Sequence, residues 1–172
     1  IIGSGMRRSS HPNTARDYAI GAKIPVVTTM ADPCAFPNGH PLYLGMVGVA
    51  GHPSAHRYIN EQADLIIAVG TGFNIMARAP IAMGLGRSKV AVVNIDVEKI
   101  LNAITPALTI EADAAPTFNA LIARWRTEPF KAPSLGNYKL TRFVAELDPP
   151  SQMKSKDFKG KSVLLQSEAL SI

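Results

Sequence analysis

The sequence predicts a doubly wound α/β domain of three layers, with a parallel sheet between two sets of helices. Three observations carry this reading. Short β-branched apolar runs alternate with helical patterns through the first 125 residues. Two of the runs, DLIIAV at 64–69 and VAVVNI at 90–95, are apolar on both faces, as a strand covered from both sides requires. Glycine turns, Gly3-Ser4-Gly5 and Gly70-Thr71-Gly72, stand where strands end.

The elements follow in order. Ile1-Ile2 reads as the end of a strand whose start has been cut away, so the chain is expected to be a piece of a longer protein. A helix fits 14–22, capped by Asn13 or Thr14, with Ala15, Tyr18, Ala19 and Ala22 on one face. PVVTT at 25–29 is a buried strand. Residues 30–41 hold Pro33, Pro37, Gly39 and Pro41 and read as a loop. A short strand at 42–44 leads into Gly45-Met46-Val47-Gly48, and a helix at 53–62 opens on Pro53. After the 64–69 strand, Pro80, Gly84 and Gly86 act as breakers in a helical or irregular stretch. The 90–95 strand ends at Asp96, and one or two helical turns fit 97–102. A last strand at 108–110 precedes an amphipathic helix at 114–125 that turns Phe118, Leu121, Ile122 and Trp125 inward. Residues 126–161 are rich in Pro, Lys and Ser and read as a linker, with one helix near 140–147. Residues 162–172 regain helical periodicity and read as the start of a following domain.

Six parallel strands with right-handed crossovers give the order 3-2-1-4-5-6, numbered along the chain. That order sets the first strand beside the fourth, where the winding reverses. Ligands of such sheets lie outside the carboxyl ends of the strands at that reversal. The two glycine turns fall there, which predicts a nucleotide crevice.

Composition excludes several classes. With 47% hydrophobic and 18% charged residues in 172, the chain can bury a core and is no disordered tail. The net charge of +5 is scattered, so no nucleic-acid partner is expected. No apolar run reaches membrane length, so no membrane partner is expected either. Cys34 is the one cysteine, which rules out an intrachain disulfide and suits a cytoplasmic, reducing location. Pro33 and Ala35 flank it with no base nearby in sequence, so it is not read as a nucleophile.

Candidate chemistry is sparse. Gly3 and Gly5 form a strand-end pair that would let a phosphate approach the backbone. The third small residue of a dinucleotide fingerprint is replaced by Arg8, and no acid ends the second strand. Thr28 and Thr29 point hydroxyls toward one edge and either bind a phosphate or cap local backbone. Asp96, at the end of a buried strand, either accepts ribose hydroxyls or caps the turn that follows. Met30, Met46 and Met76 follow strands and are candidates to line a flat cofactor. His11, His40, His52 and His56 make no metal set, and no nucleophile elbow or P-loop is present.

The run IPVVTTMADPCAFPNGHPLYLGMVGVAG at 24–51 resembles a stretch of the acetolactate synthase-like family of thiamine diphosphate enzymes. Ala35-Phe36-Pro37, His40 through Gly45, and Gly45-Met46-Val47-Gly48 match in order and spacing. Residues 63–70, Phe73, Asn94-Ile95-Asp96 with Ile100, and Glu111 through Ala114 are similar to later family elements, so the likeness covers 1 to about 125. It implies a Rossmann-like central domain, without catalytic residues, of a three-domain parent acting on 2-keto acids. The parent's thiamine diphosphate and Mg2+ would be bound by the other two domains. It further implies a homo-oligomer, dimer or tetramer. In some members the central domain carries FAD, in others ADP, in many nothing. The positions that would carry over are Gly3, Gly5, Thr28, Thr29, Met30, Gly45, Met46, Gly48, Gly70, Phe73, Asp96 and Asp113. Two departures bear on the flavin. Ala50 stands where FAD-binding members have histidine. Gly72-Phe73-Asn74 stands where they have Arg-Phe-Asp, which removes a cation. The residues alone leave two other readings open: a free-standing NAD- or FAD-dependent oxidoreductase, or an oligomer-assembly module.

Overall fold

The computed structural model describes residues 1–129 and a two-residue antiparallel pair, Asp157–Phe158 with Lys161–Ser162. The strands are Val26–Thr29 (β1), Tyr43–Val47 (β2), Leu65–Val69 (β3), Lys89–Asn94 (β4) and Leu108–Glu111 (β5). β1 runs parallel to β2, and β4 runs parallel to both β3 and β5. Ile2 bridges the two groups, parallel to Thr28 on one side and to Val69 on the other. Its N–H donates to the Val27 carbonyl at 2.9 Å, and its carbonyl accepts from Thr29 at 3.0 Å. On the other side Gly3 donates to Val69 at 2.9 Å, and Val69 donates to Ile1 at 3.0 Å. The architecture is therefore α/β with parallel strands, as expected.

Strand side chains alternate between two cores, one on each face. Val26, Val69 and Val93 join Tyr18, Ala19 and Phe118 on one side. Val27, Ala68, Val90 and Val92 join Ala55, Ile59, Ile81 and Ile100 on the other. The first face is covered by α1 (Thr14–Gly21) and α6 (Ala114–Thr127). Tyr18 and Phe118 meet there with ring centroids 5.6 Å apart and planes at 59°. Such a tilted pair adds about 0.5–1.5 kcal/mol to its area burial. The second face is covered by α2 (Pro53–Glu61), α4 (Ala82–Arg87) and the short α5 (Glu98–Leu101). α3 (Ile75–Arg78) and a 3-10 turn, Ala79–Ile81, lead into α4.

The amphipathic faces lie as the sequence suggests. Ala15, Tyr18, Ala19 and Ala22 are buried; so is Phe118, and Leu121, Ile122 and Trp125 pack against the same core. Several local expectations need correction. Asn13 holds the first position before α1 but makes no side-chain capping bond, and Thr14 instead donates to the His11 carbonyl. β2 begins one residue later and runs on through Val47. α6 continues past Trp125 to Thr127. The helix expected at 140–147 lies outside the described residues, as does that at 162–172 apart from Ser162, which pairs with Asp157.

Gly84 and Gly86 were expected to break helix, yet both lie inside α4. At Gly84 the reason is close packing on α2, whereas a Cβ on Gly86 would meet no neighbour within 4 Å. A Cβ on Gly84 would run into the Ile59 carbonyl, with the carbonyl carbon at 2.7 Å. Asn60 clamps the crossing from its own helix, donating to Pro80 O and accepting from Gly84 N, both at 2.9 Å. Alanine stabilises an ordinary helix by about 1 kcal/mol over glycine. Here the sign is expected to reverse: Gly84→Ala should lose about 1–3 kcal/mol by overpacking, measured by urea unfolding.

Candidate functional site at the strand tips

Parallel strands bring all their carboxyl ends to one edge, so the loops after Ile2, β1, β2, β3 and β4 share it. The loop after Ile2 is a 3-10 turn, Ser4–Arg8, pinned by the buried Met6. The loop after β3 is the run from Gly70 to Asn74. These two loops touch through their glycines. Gly5 N–H donates to the Gly70 carbonyl at 2.8 Å. A Cβ on Gly3 would lie 2.7 Å from Thr71 Cβ, and one on Gly5 would lie 2.8 Å from Gly70 Cα. Gly70 sits at φ +59°, and its own Cβ would lie 2.7 Å from Met6 N. Each of the three glycines is thus required by the opposing backbone.

Phe73 is the second left-handed residue of this loop, at φ 46°. Its ring is fully buried in the second core, its N–H donates to Thr71 Oγ1 at 3.3 Å, and Asn74 caps α3 through Ala77 N–H at 2.9 Å. Burial and capping together hold a conformation that costs a non-glycine residue about 1–2 kcal/mol. The β4 tip is tied in as well, because Asn94 Nδ2 donates to the Thr71 carbonyl at 3.0 Å.

The β1 and β2 loops close on each other in the same way. Thr28 is fully buried, and its hydroxyl is bonded to Tyr43 Oη at 2.8 Å; Thr29 is buried beside it. Gly45 and Gly48 have φ of +102° and +121°. A Cβ on Gly48 would lie 2.5 Å from Met30 Sδ and 3.2 Å from the Met76 carbonyl. A Cβ on Gly45 would lie 2.9 Å from His52 Cβ. Val49 N–H donates to the Met76 carbonyl at 2.9 Å, and Met46 accepts from His52 N–H at 2.7 Å. Met30 and Met76 are partly exposed at this edge, together with Val49, Ile75 and Ile95.

Two carboxylates lock the edge, and sequence reading did not foresee their partners. Asp32 is buried and accepts a two-pronged bond from Arg7, Nε to Oδ2 at 2.8 Å and Nη2 to Oδ1 at 2.7 Å. This fork ties the loop after Ile2 to the loop after β1. Asp113 caps α6 through Ala115 N–H at 3.1 Å and also accepts from Ser9 Oγ, Ser10 N–H and Ser10 Oγ. The Ser9 hydroxyl, then the Ala115 and Ser10 amides, hold its carboxyl well below the usual range, with burial acting weakly the other way. An aspartate before an amphipathic helix was a readable cap signal. The serines lie more than a hundred positions away, and nothing local announces them.

Asp96 differs from the rest. It is exposed, and its carboxylate makes no hydrogen bond to the described residues. It does not cap α5 either, because Val97 holds that position. Two buried nitrogens lack a partner among the described residues: His56 Nε2, beneath the Gly51 turn, and Arg78 Nε, at the end of α3. Burial lowers the His56 pKa, the Gly48 carbonyl opposes that, and His52 adds to it. No group of three or more His, Cys, Asp or Glu among the described residues is placed to hold a metal ion. No described helix is long and apolar enough to cross a membrane.

A low folded pKa means that Asp113 stabilises the fold above its unfolded value, about 4. The contribution is lost as pH falls through the folded value. Asp113→Ala should therefore lower the melting temperature at neutral pH. The gap from wild type should hold steady down to about pH 5 and shrink in stronger acid. Thermal unfolding of both proteins across that range checks the sign.

Comparison with known proteins gives a consistent result. The family model described as "Thiamine pyrophosphate enzyme, central domain" matches residues 1–121. A probable acetolactate synthase large subunit of Methanocaldococcus jannaschii is 34% identical over 123 residues, covering 72% of this chain and 21% of that protein. A 3D-(3,5/4)-trihydroxycyclohexane-1,2-dione hydrolase of Bacillus cereus is 32% identical over 122 residues, 71% of this chain and 19% of its own length. Acetolactate synthase isozyme 1 large subunit of Escherichia coli is 30% identical over 118 residues, 69% and 21% respectively. The chain thus spans about a fifth of the length of these relatives.

Proposed function

This chain belongs to the thiamine pyrophosphate enzyme central-domain family, and from that premise we propose that it is the non-catalytic middle domain of a longer thiamine diphosphate- and Mg2+-dependent enzyme. The observation that carries the proposal is that one family match spans all five parallel strands, from Ile1 past Phe118 into α6. The proposed substrate class is 2-keto acids, and the reaction class is carboligation or decarboxylation, as in the acetolactate synthases it resembles. A second reading, favoured by the 32% relative, is hydrolysis of a cyclic 1,2-dione.

Thiamine diphosphate, when bound, supplies the electron sink for making or breaking a bond beside a carbonyl. The residues that would hold it and its Mg2+ belong, in this proposal, to the other domains. This domain's own part is to be a rigid spacer: a parallel sheet covered on both faces, with its loops bonded to one another. Its partners would be those domains and further copies of the parent, in a dimer or tetramer, with a cytoplasmic location that the lone Cys34 suits. The six-strand order 3-2-1-4-5-6 is part of the same proposal and is supported by the bridges of Ile2 to Thr28 and Val69. The remaining part is an FAD/ADP-type nucleotide crevice at the strand tips that stands empty. Asp96, exposed just after β4, is the residue there that would accept adenosine ribose hydroxyls if a nucleotide entered.

The proposal is tested by activity. A longer protein carrying this chain should consume a 2-keto acid such as pyruvate, or a cyclic 1,2-dione, only with thiamine diphosphate and Mg2+ present. The 172-residue chain alone should consume neither. Reduction of a nicotinamide cofactor by the chain alone would favour the oxidoreductase reading instead.

A further inference from the structure

We infer that the crevice of this domain is closed by the protein's own groups, so that the domain takes neither FAD nor ADP. The inference uses the family reading only for the expectation of a nucleotide, and it can fail while that reading stands.

A doubly wound sheet binds ligands where the loops on either side of the winding reversal diverge and leave a gap. Ile2 and β3 are the segments that meet there, and their loops do not diverge. Gly5 donates to Gly70 at 2.8 Å, and the spaces a side chain would fill on Gly3, Gly5 and Gly70 are taken by the opposing backbone or by Thr71. Glycines at a strand end admit a phosphate only if the space above them is open. These glycines admit each other.

The closure extends along the edge. Arg7 and Asp32 join the loops after Ile2 and β1. Met30 Sδ fills the space over Gly48, joining the loops after β1 and β2. Val49 N–H on the Met76 carbonyl ties the loop after β2 to α3, and Asn94 on the Thr71 carbonyl ties the tip of β4 to the loop after β3. Ser9 and Ser10 on Asp113 carry the network to the start of α6. The polar groups a nucleotide needs are therefore engaged within the chain: the Gly3, Gly5 and Gly70 amides, the Thr28 hydroxyl, the Arg7 fork and the Asp113 carboxylate. Asp96 is exposed, and a carboxylate with no phosphate site beside it repels an anionic ligand.

Two measurements on the full 172-residue chain test this. In thermal unfolding with FAD, and separately with ADP, the midpoint should move by less than about 1 °C up to roughly 1 mM ligand. In amide exchange, the Gly5, Gly70 and Val49 N–H groups should be protected to within about tenfold of Val92 in the core of β4. A saturable rise of several degrees with either nucleotide would overturn the inference. Its loss in Arg78→Gln would place the phosphate on Arg78, whose buried Nε has no partner among the described residues. Exchange at Gly5 and Gly70 about a hundredfold or more faster than at Val92 would overturn the closure itself. Neither adverse result would touch thiamine dependence in the longer protein, which is read by turnover.

Discussion

The rest of this structure depends on one short stretch of backbone pairing. Ile1, Ile2 and Gly3 exchange hydrogen bonds with Val27 and Thr29 on one side and with Val69 on the other. Without them β1 and β2 have no ladder to β3, β4 and β5 among the described residues. Two small sheets would then have to cover their faces separately, and the two cores would each lose a wall. A pair of strands alone does not hold in water, because too little apolar surface is removed. The central position of Ile2 is why both its faces are buried and why its side chain belongs to the same cluster as Tyr18 and Phe118.

That pairing also decides what the glycine turns do. Parallel neighbours end at the same edge, so Gly3 and Gly70 are brought together as soon as Ile2 seats against Val69. The two turns then have either to hold something between them or to pack on one another. In this chain they pack, and the absence of a Cβ on each side lets the backbones approach. The carboxylates Asp32 and Asp113 act in the same direction. Each draws a donor from the Ser4–Ser10 stretch, and each lies on a different neighbouring loop. A segment of a few residues is thereby anchored at Met6, Arg7, Ser9 and Ser10, and gains a rigidity that its 3-10 geometry alone would not supply.

How much of the site could be read beforehand varies residue by residue. Phe36, Tyr43 and the glycines of the 45–51 turn were visible as a family-like run, and the structure places them in one tight unit beside Thr28. Thr28 reads as a phosphate ligand or a local cap, and its hydroxyl instead meets Tyr43, fifteen residues on. Asp96 reads as a cap or a ribose acceptor, but the helical turn starts one residue later and Val97 holds the capping position. Nothing local marks Asp32, because an aspartate in a proline-rich loop is ordinary; its importance lies in burial and in Arg7, twenty-five positions away. Gly84 reads as a breaker because a glycine's local propensity is visible in sequence and a helix lying across it is not.

The amino-acid sequence by itself determined the strands, most of the helices and the faces they bury, because those follow from side-chain periodicity and β-branching within a few residues. It also determined the family, through runs of motif whose order is as informative as their content. Only the tertiary structure decided which strand tips touch, which polar groups they use up and whether the glycines open a gap or close one. Those outcomes rest on backbone approaches of a few ångström between segments tens of residues apart, and no local pattern carries that distance.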